Sequence, residues 1–67
     1  MKTRWSYAVV LMFDDGGQKF VTDYDTETRP RVGRMLTFGE LGVYRVVSRE
    51  DARGKGDGVG TLYVEDI

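Results

Sequence analysis

An all-β domain is predicted by three observations on this chain of 67 residues. Apolar and polar residues alternate with a period of two from end to end, β-branched and aromatic residues fill the alternating runs, and Gly or Asp clusters separate them. No window repeats apolar residues at i, i+3, i+4 and i+7, the spacing a helix uses to bury one face. Five strands follow, at about 4–13, 18–25, 33–38, 43–50 and 60–66, in one domain spanning 1–67 without repeat, linker or low-complexity tract.

The first strand is the most informative. In Trp5-Ser6-Tyr7-Ala8-Val9-Val10-Leu11-Met12-Phe13 the odd positions are bulky, yet the even positions still carry Ala8, Val10 and Met12. Such a strand calls for cover on both faces. Asp14-Asp15-Gly16-Gly17 then supplies residues that tolerate the positive φ of a tight hairpin. A loop of Asp15-Gly16, Gly16-Gly17 or all four residues places Tyr7, Val9, Leu11 and Phe13 beside Phe20, Thr22 and Tyr24 on the core face. Val10 and Met12 then share the other face with Lys19, Val21 and Asp23.

Asp25 to Pro30 is polar and holds the chain's one proline, so it reads as a long loop. The third strand offers Leu36 and Phe38 to the core, with Arg34 on the same side near its end. At Gly39-Glu40-Leu41-Gly42 the loop length decides which residues turn inward. A four-residue loop pairs Phe38 with Val43 and sends Arg45 and Arg49 into the core; a bulged loop of three or five residues pairs Phe38 with Tyr44 and keeps both outside. Burying unpaired charge is costly, so the bulged loop is expected, with Tyr44, Val46 and Ser48 inward. Asp51 to Gly58 alternates glycine with charge as a hairpin tip, and the last strand points Leu62 and Val64 inward and Thr61, Tyr63 and Glu65 outward. Five short strands without a substantial helix fit a small antiparallel SH3-like barrel or a strongly bent meander sheet, ahead of an OB-type barrel.

Composition narrows function. The chain has no His and no Cys, and so lacks the usual near-neutral acid/base, the soft metal ligands and the thiol nucleophile. We therefore expect no enzyme, no cofactor and no metal, and no disulfide to reinforce a core near the lower size limit for independent folding. No apolar stretch approaches a membrane span or a cleaved leader, so the expected location is the cytoplasm. Ten Lys and Arg against eleven Asp and Glu leave a net charge of −1, without the global basic field of a phosphate-backbone binder.

Three local patterns fall short of their motifs. Asp14-Asp15 sits where a turn favours Asp, not where a catalytic pair is held. Asp23-x-Asp25-x-Glu27 has the alternating oxygens of a calcium loop, but Thr28 and Arg34 stand where that loop needs Gly and a bidentate Glu. Gly54-Lys55 lacks the upstream Gly and the following Ser or Thr of a phosphate loop.

Two surface functions remain. In a nucleic-acid-binding module, Trp5 and Tyr63 would stack bases while Arg29, Arg31 and Arg34 contact phosphates. The better supported reading is a protein interface, as a homodimer or an accessory subunit, built from the outward residues Val10, Met12, Val21, Arg45, Val47 and Arg49. Interface cores favour apolar residues, Met and Arg. The competing expectation is that the 25–32 loop folds over the second face of strand 1.

Overall fold

The computed structural model describes residues 4–53 and 58–67. Their elements are β1 (Trp5–Met12), β2 (Gln18–Thr26), β3 (Met35–Thr37), β4 (Val43–Arg53) and β5 (Gly58–Asp66), with one short 3-10 turn at Gly39–Leu41. The all-β fold is as predicted: the five strands form one sheet that curls into a half-barrel.

Strand order is β2-β1-β5-β4-β3, and β1 runs parallel to β5 while every other pair is antiparallel. The sheet is thus mixed, not the wholly antiparallel meander of the sequence reading. Central β1 has a hydrogen-bonded neighbour on each side. Its odd row faces inward, where Trp5, Tyr7 and Val9 join Leu36, Tyr44, Val46, Leu62 and Val64 in the core, and Leu11, Val21, Tyr24 and Phe38 pack against them. Strands β2 and β3 form the two edges, and the curl brings them together through an edge-on Tyr24–Phe38 contact at 5.5 Å.

The β1–β2 and β3–β4 hairpins use three-residue loops. Phe13 N–H donates to Gly17 O at 2.9 Å and Gly16 N–H donates to Phe13 O at 3.0 Å, with Gly16 at φ 90°. That loop length, which the sequence reading omitted, sets the opposite parity to the one expected, so Val10 lies opposite Phe20 and Leu11 opposite Lys19. A bulge at Val21 restores the expected register beyond it, with Val9 opposite Thr22 and Tyr7 opposite Tyr24. Three residues change sides as a result. Phe20 leaves the core face and is 58% exposed, Lys19 moves opposite Leu11, and Val21 turns inward, while Phe13 is exposed at the turn.

The second loop behaves similarly. Phe38 N–H donates to Gly42 O at 2.9 Å and Leu36, not Phe38, lies opposite Tyr44. The slide is two residues, so the expected inward set Leu36, Phe38, Tyr44 and Val46 survives. Beyond Val46 it does not. A bulge at Val47 places Arg49 opposite buried Leu62 and Ser48 opposite Tyr63, so Arg49 turns to the core side and Ser48 faces out, the reverse of expectation. The central residues of the expected tip, 54–57, lie outside the described residues.

Glycines make the parallel pairing compact. Gly60 lies opposite Tyr7, and a Cβ there would overlap the Glu50 carbonyl oxygen and stand 2.8 Å from Tyr7 Cε1. Gly58 likewise underlies the Trp5 ring. Because a backbone oxygen cannot move aside as a flexible side chain does, Gly60→Ala is expected to destabilise the fold by about 2 kcal/mol or more. Urea unfolding followed by Trp5 fluorescence measures it; an unchanged midpoint would refute the close packing of β1 on β5.

Candidate functional site

The sheet has two faces with different fates, and the loop from Glu27 to Arg34 decides which is covered. Arg29 places its guanidinium 5.2 Å from the centre of the Trp5 ring and 3.6 Å from Asp51 Oδ2. Buried Pro30 accepts a 2.5 Å hydrogen bond from Arg49 Nη1, and Gly33 N–H donates to Val46 O at 2.7 Å. The loop therefore closes the concave, core side. The expectation that it covers the second face of β1 is corrected: its contacts are with Trp5, Arg49 and Asp51 on the opposite side.

These contacts build a polar end to the core. Tyr7, 1% exposed, donates its hydroxyl to Asp51 Oδ1 at 2.9 Å, and Arg49 Nε lies 3.1 Å from Asp51 Oδ2. Arg49 is accordingly not an outward interface residue; its charge is paired at the core's rim, which removes the penalty that had argued for its exposure. Trp5 is only 7% exposed and stacks on Tyr7 at 6.2 Å, so its ring is not presented to a base. All three loop arginines are exposed, and Arg29 is also engaged by Trp5 and Asp51. Arg29 and Arg34 share a pocket at the β2/β3 seam with Tyr24, Thr26, Thr28, Pro30 and Leu36, and Arg31 does not line it. At about 70 Å³ it is far below the ~300 Å³ of a small-molecule site.

The acidic motifs resolve as local structure. Asp15 Oδ1 accepts from Gly17 N–H at 2.8 Å in the hairpin turn, and Asp23 and Asp25 lie on β2 opposite Ala8 and Ser6. Among the described residues no group of three His, Cys, Asp or Glu side chains is placed to hold a metal, and no helix is long and apolar enough to cross a membrane.

The convex face carries the second row of β1. Strand register arranges it in cross-sheet rows: Asp23, Ala8, Thr61 and Glu50, then Phe20, Val10, Tyr63 and Ser48. Next along the strands come Gln18 with Met12, and Glu65 with Arg45, which are joined by a 3.2 Å ion pair. Exposed Val47, 44% accessible, stands at the bulge beside the central row. Of the six interface residues expected from sequence, Val10, Met12, Arg45 and Val47 meet on this face, whereas Val21 packs against the core and Arg49 on its rim. Tyr63, proposed for base stacking, lies beside Val10 instead. Phe20 turns outward because its side depends on the length of the 14–16 loop, which residue type alone does not announce.

Comparison with known proteins returned no matching family model, no matching curated protein and no matching solved structure.

Burial and the hydrogen bond to Asp51 push the Tyr7 phenol from 10.0 up to about 12, with Arg49 and Arg29 opposing. The folded state thus holds this proton more tightly than the unfolded chain, so the stabilisation is complete below pH 10 and is lost as pH rises from 10 towards 12. Urea midpoints measured across that window are expected to fall, and to fall less steeply in Tyr7→Phe. Equal slopes would show that Tyr7 is not the group responsible.

Proposed function

We propose that this is a non-catalytic β-domain that makes protein–protein contacts through the convex face of β2-β1-β5-β4. One observation carries the reading: the 27–34 loop covers the concave side, which leaves the row Phe20, Val10 and Tyr63, with Met12 and Val47, uncovered by the described chain. Phe20 and Val47 are exposed and Val10, Met12 and Tyr63 half-buried; apolar surface left contiguous on a small domain marks contact sites, and a patch with aromatic and Met residues and an arginine at its margin has the composition of an interface core. Arg45 supplies that margin, and its partner Glu65 leaves it partly open to solvent. The non-catalytic reading is supported by chemistry: no His or Cys is present, and Tyr7, the one strongly shifted group among the described residues, is held protonated and buried under the loop.

Met12→Asp and Val47→Asp test this. Because both positions lie on an open face, each is expected to change stability by no more than about 1 kcal/mol, roughly 4–8 °C in the melting midpoint. Each is also expected to abolish self-association in light scattering or retention by a partner in pull-down. If both variants unfold, the second face of β1 is internal core and the reading is wrong.

A further inference from the structure

We infer that the occupant of the convex face is a second copy of this chain, docked sheet on sheet with its strands antiparallel to the first. This rests on the proposal that the face is a contact surface, and adds the partner and its orientation.

The ends of the face are chemically unequal. Taking the Phe20-Val10-Tyr63-Ser48 row as the middle, one flanking row ends in Glu50 on β4, and the other flank carries Arg45 on the same strand. On β1 the flanks are Ala8 on the Glu50 side and Met12 on the Arg45 side. A two-fold axis along the middle row lays each flank on the opposite flank of the partner copy. Glu50 of each copy then faces Arg45 of the other, and Met12 of each faces the small Ala8, so both charge and volume are complementary and each match occurs twice. Glu50 makes no ion pair within the described residues and is available for this role. An axis along the strands instead sets Asp23 against Glu50 and is disfavoured by like charge.

Sheet curvature agrees with this arrangement. Two convex sheets approach closest over their central strands, where Ala8, Val10 and Thr61 are short and Met12 and Tyr63 supply the apolar bulk between the copies. The gap widens towards β4, where Arg45 and Glu50 have the reach to span it.

The experiment is a charge reversal read by multi-angle light scattering on the full chain. The wild type is expected at twice its 7.6 kDa mass. Arg45→Glu and Glu50→Arg are each expected to weaken association at least about tenfold, and the double variant is expected to restore it. Circular dichroism confirms that each variant is folded. A second route avoids charge: the chain has no cysteine, and Val10→Cys lies on the axis whereas Ala8→Cys lies off it. Mild oxidation should therefore link Val10→Cys into a disulfide dimer and leave Ala8→Cys unlinked.

A monomeric wild type overturns the inference, as do single variants that associate normally, a double variant that does not recover, or equal crosslinking at both positions. A monomeric wild type whose Met12→Asp and Val47→Asp forms keep their melting midpoints leaves the contact-surface reading intact. Unfolding of those two variants removes both.

Discussion

The parallel ladder between β1 and β5 is the constraint on which the rest of the structure depends. Without it the chain is a β1–β2 hairpin and a separate β3–β4–β5 meander, neither able to bury a face alone. The ladder brings Val9 beside Leu62, both fully buried, and lowers the Trp5 and Tyr7 rings onto Gly58 and Gly60. A parallel pair cannot be joined by a tight turn, so everything between β1 and β5 serves as its crossover. Most of the core's contacts are consequently non-local, which places the entropic cost of loop closure ahead of the reward of burial and makes slow, concerted folding the expectation for this small domain.

Two bulges tune what the ladder builds. Each sits on a strand flanking the β1–β5 pair, at Val21 and at Val47, and each reverses the facing of the residues beyond it. On β2 the three-residue loop leaves Phe20 outside and Val21 inside, and the bulge returns Thr22 and Tyr24 to the sides of Val9 and Tyr7. On β4 it turns Arg49 inward to the point where Asp51 and the Pro30 carbonyl await it. The second bulge fastens the 27–34 loop to the concave side, because Arg49 binds both the loop and the carboxylate that holds Tyr7. Sheet geometry thus fixes which face is closed.

Bulges are also why sequence reasoning stopped where it did. Period-2 alternation located all five strands, the odd row of β1, and the inward residues Leu36, Tyr44, Val46, Leu62 and Val64. Facing beyond a turn, however, depends on whether the loop and bulges between two strands add an odd or an even number of residues. Asp14-Asp15-Gly16-Gly17 permits loops of two, three or four residues, and the three-residue loop adopted has the opposite parity to the other two. Arg49 would be costly to bury unpaired, but Asp51 pairs with it at the rim of the core. The strand was expected to end near residue 50, which left Asp51 in a turn, whereas β4 continues to Arg53 and carries Asp51 on the same side as Arg49. A hint was present, since Arg49 and Asp51 stand two apart in an alternating run and so share a face wherever the strand persists.

The apolar even row of β1 follows from the same geometry that closes the core. Curling a five-stranded sheet inward makes the concave side chains converge, so a short loop and a few aromatics suffice to fill that side. On the convex side the same curvature makes side chains diverge, and an eight-residue loop already anchored at Trp5, Arg49 and Val46 has no length left to cross over. Ala8, Val10 and Met12 nevertheless lie on an interior strand, next to Tyr63 on β5, where solvation of a polar row would do nothing for the core. Another curved surface meets such a face first along its central strands. That is where Ala8, Val10, Met12 and Tyr63 lie, while Arg45, Glu50 and Asp23 occupy the strands that curve away, and Glu65 on β5 is paired with Arg45. A solvated face has no reason to sort its residues this way; a face that receives a convex partner does, because apolar contact is worth most where the gap is narrowest and long charged side chains are useful only where it widens.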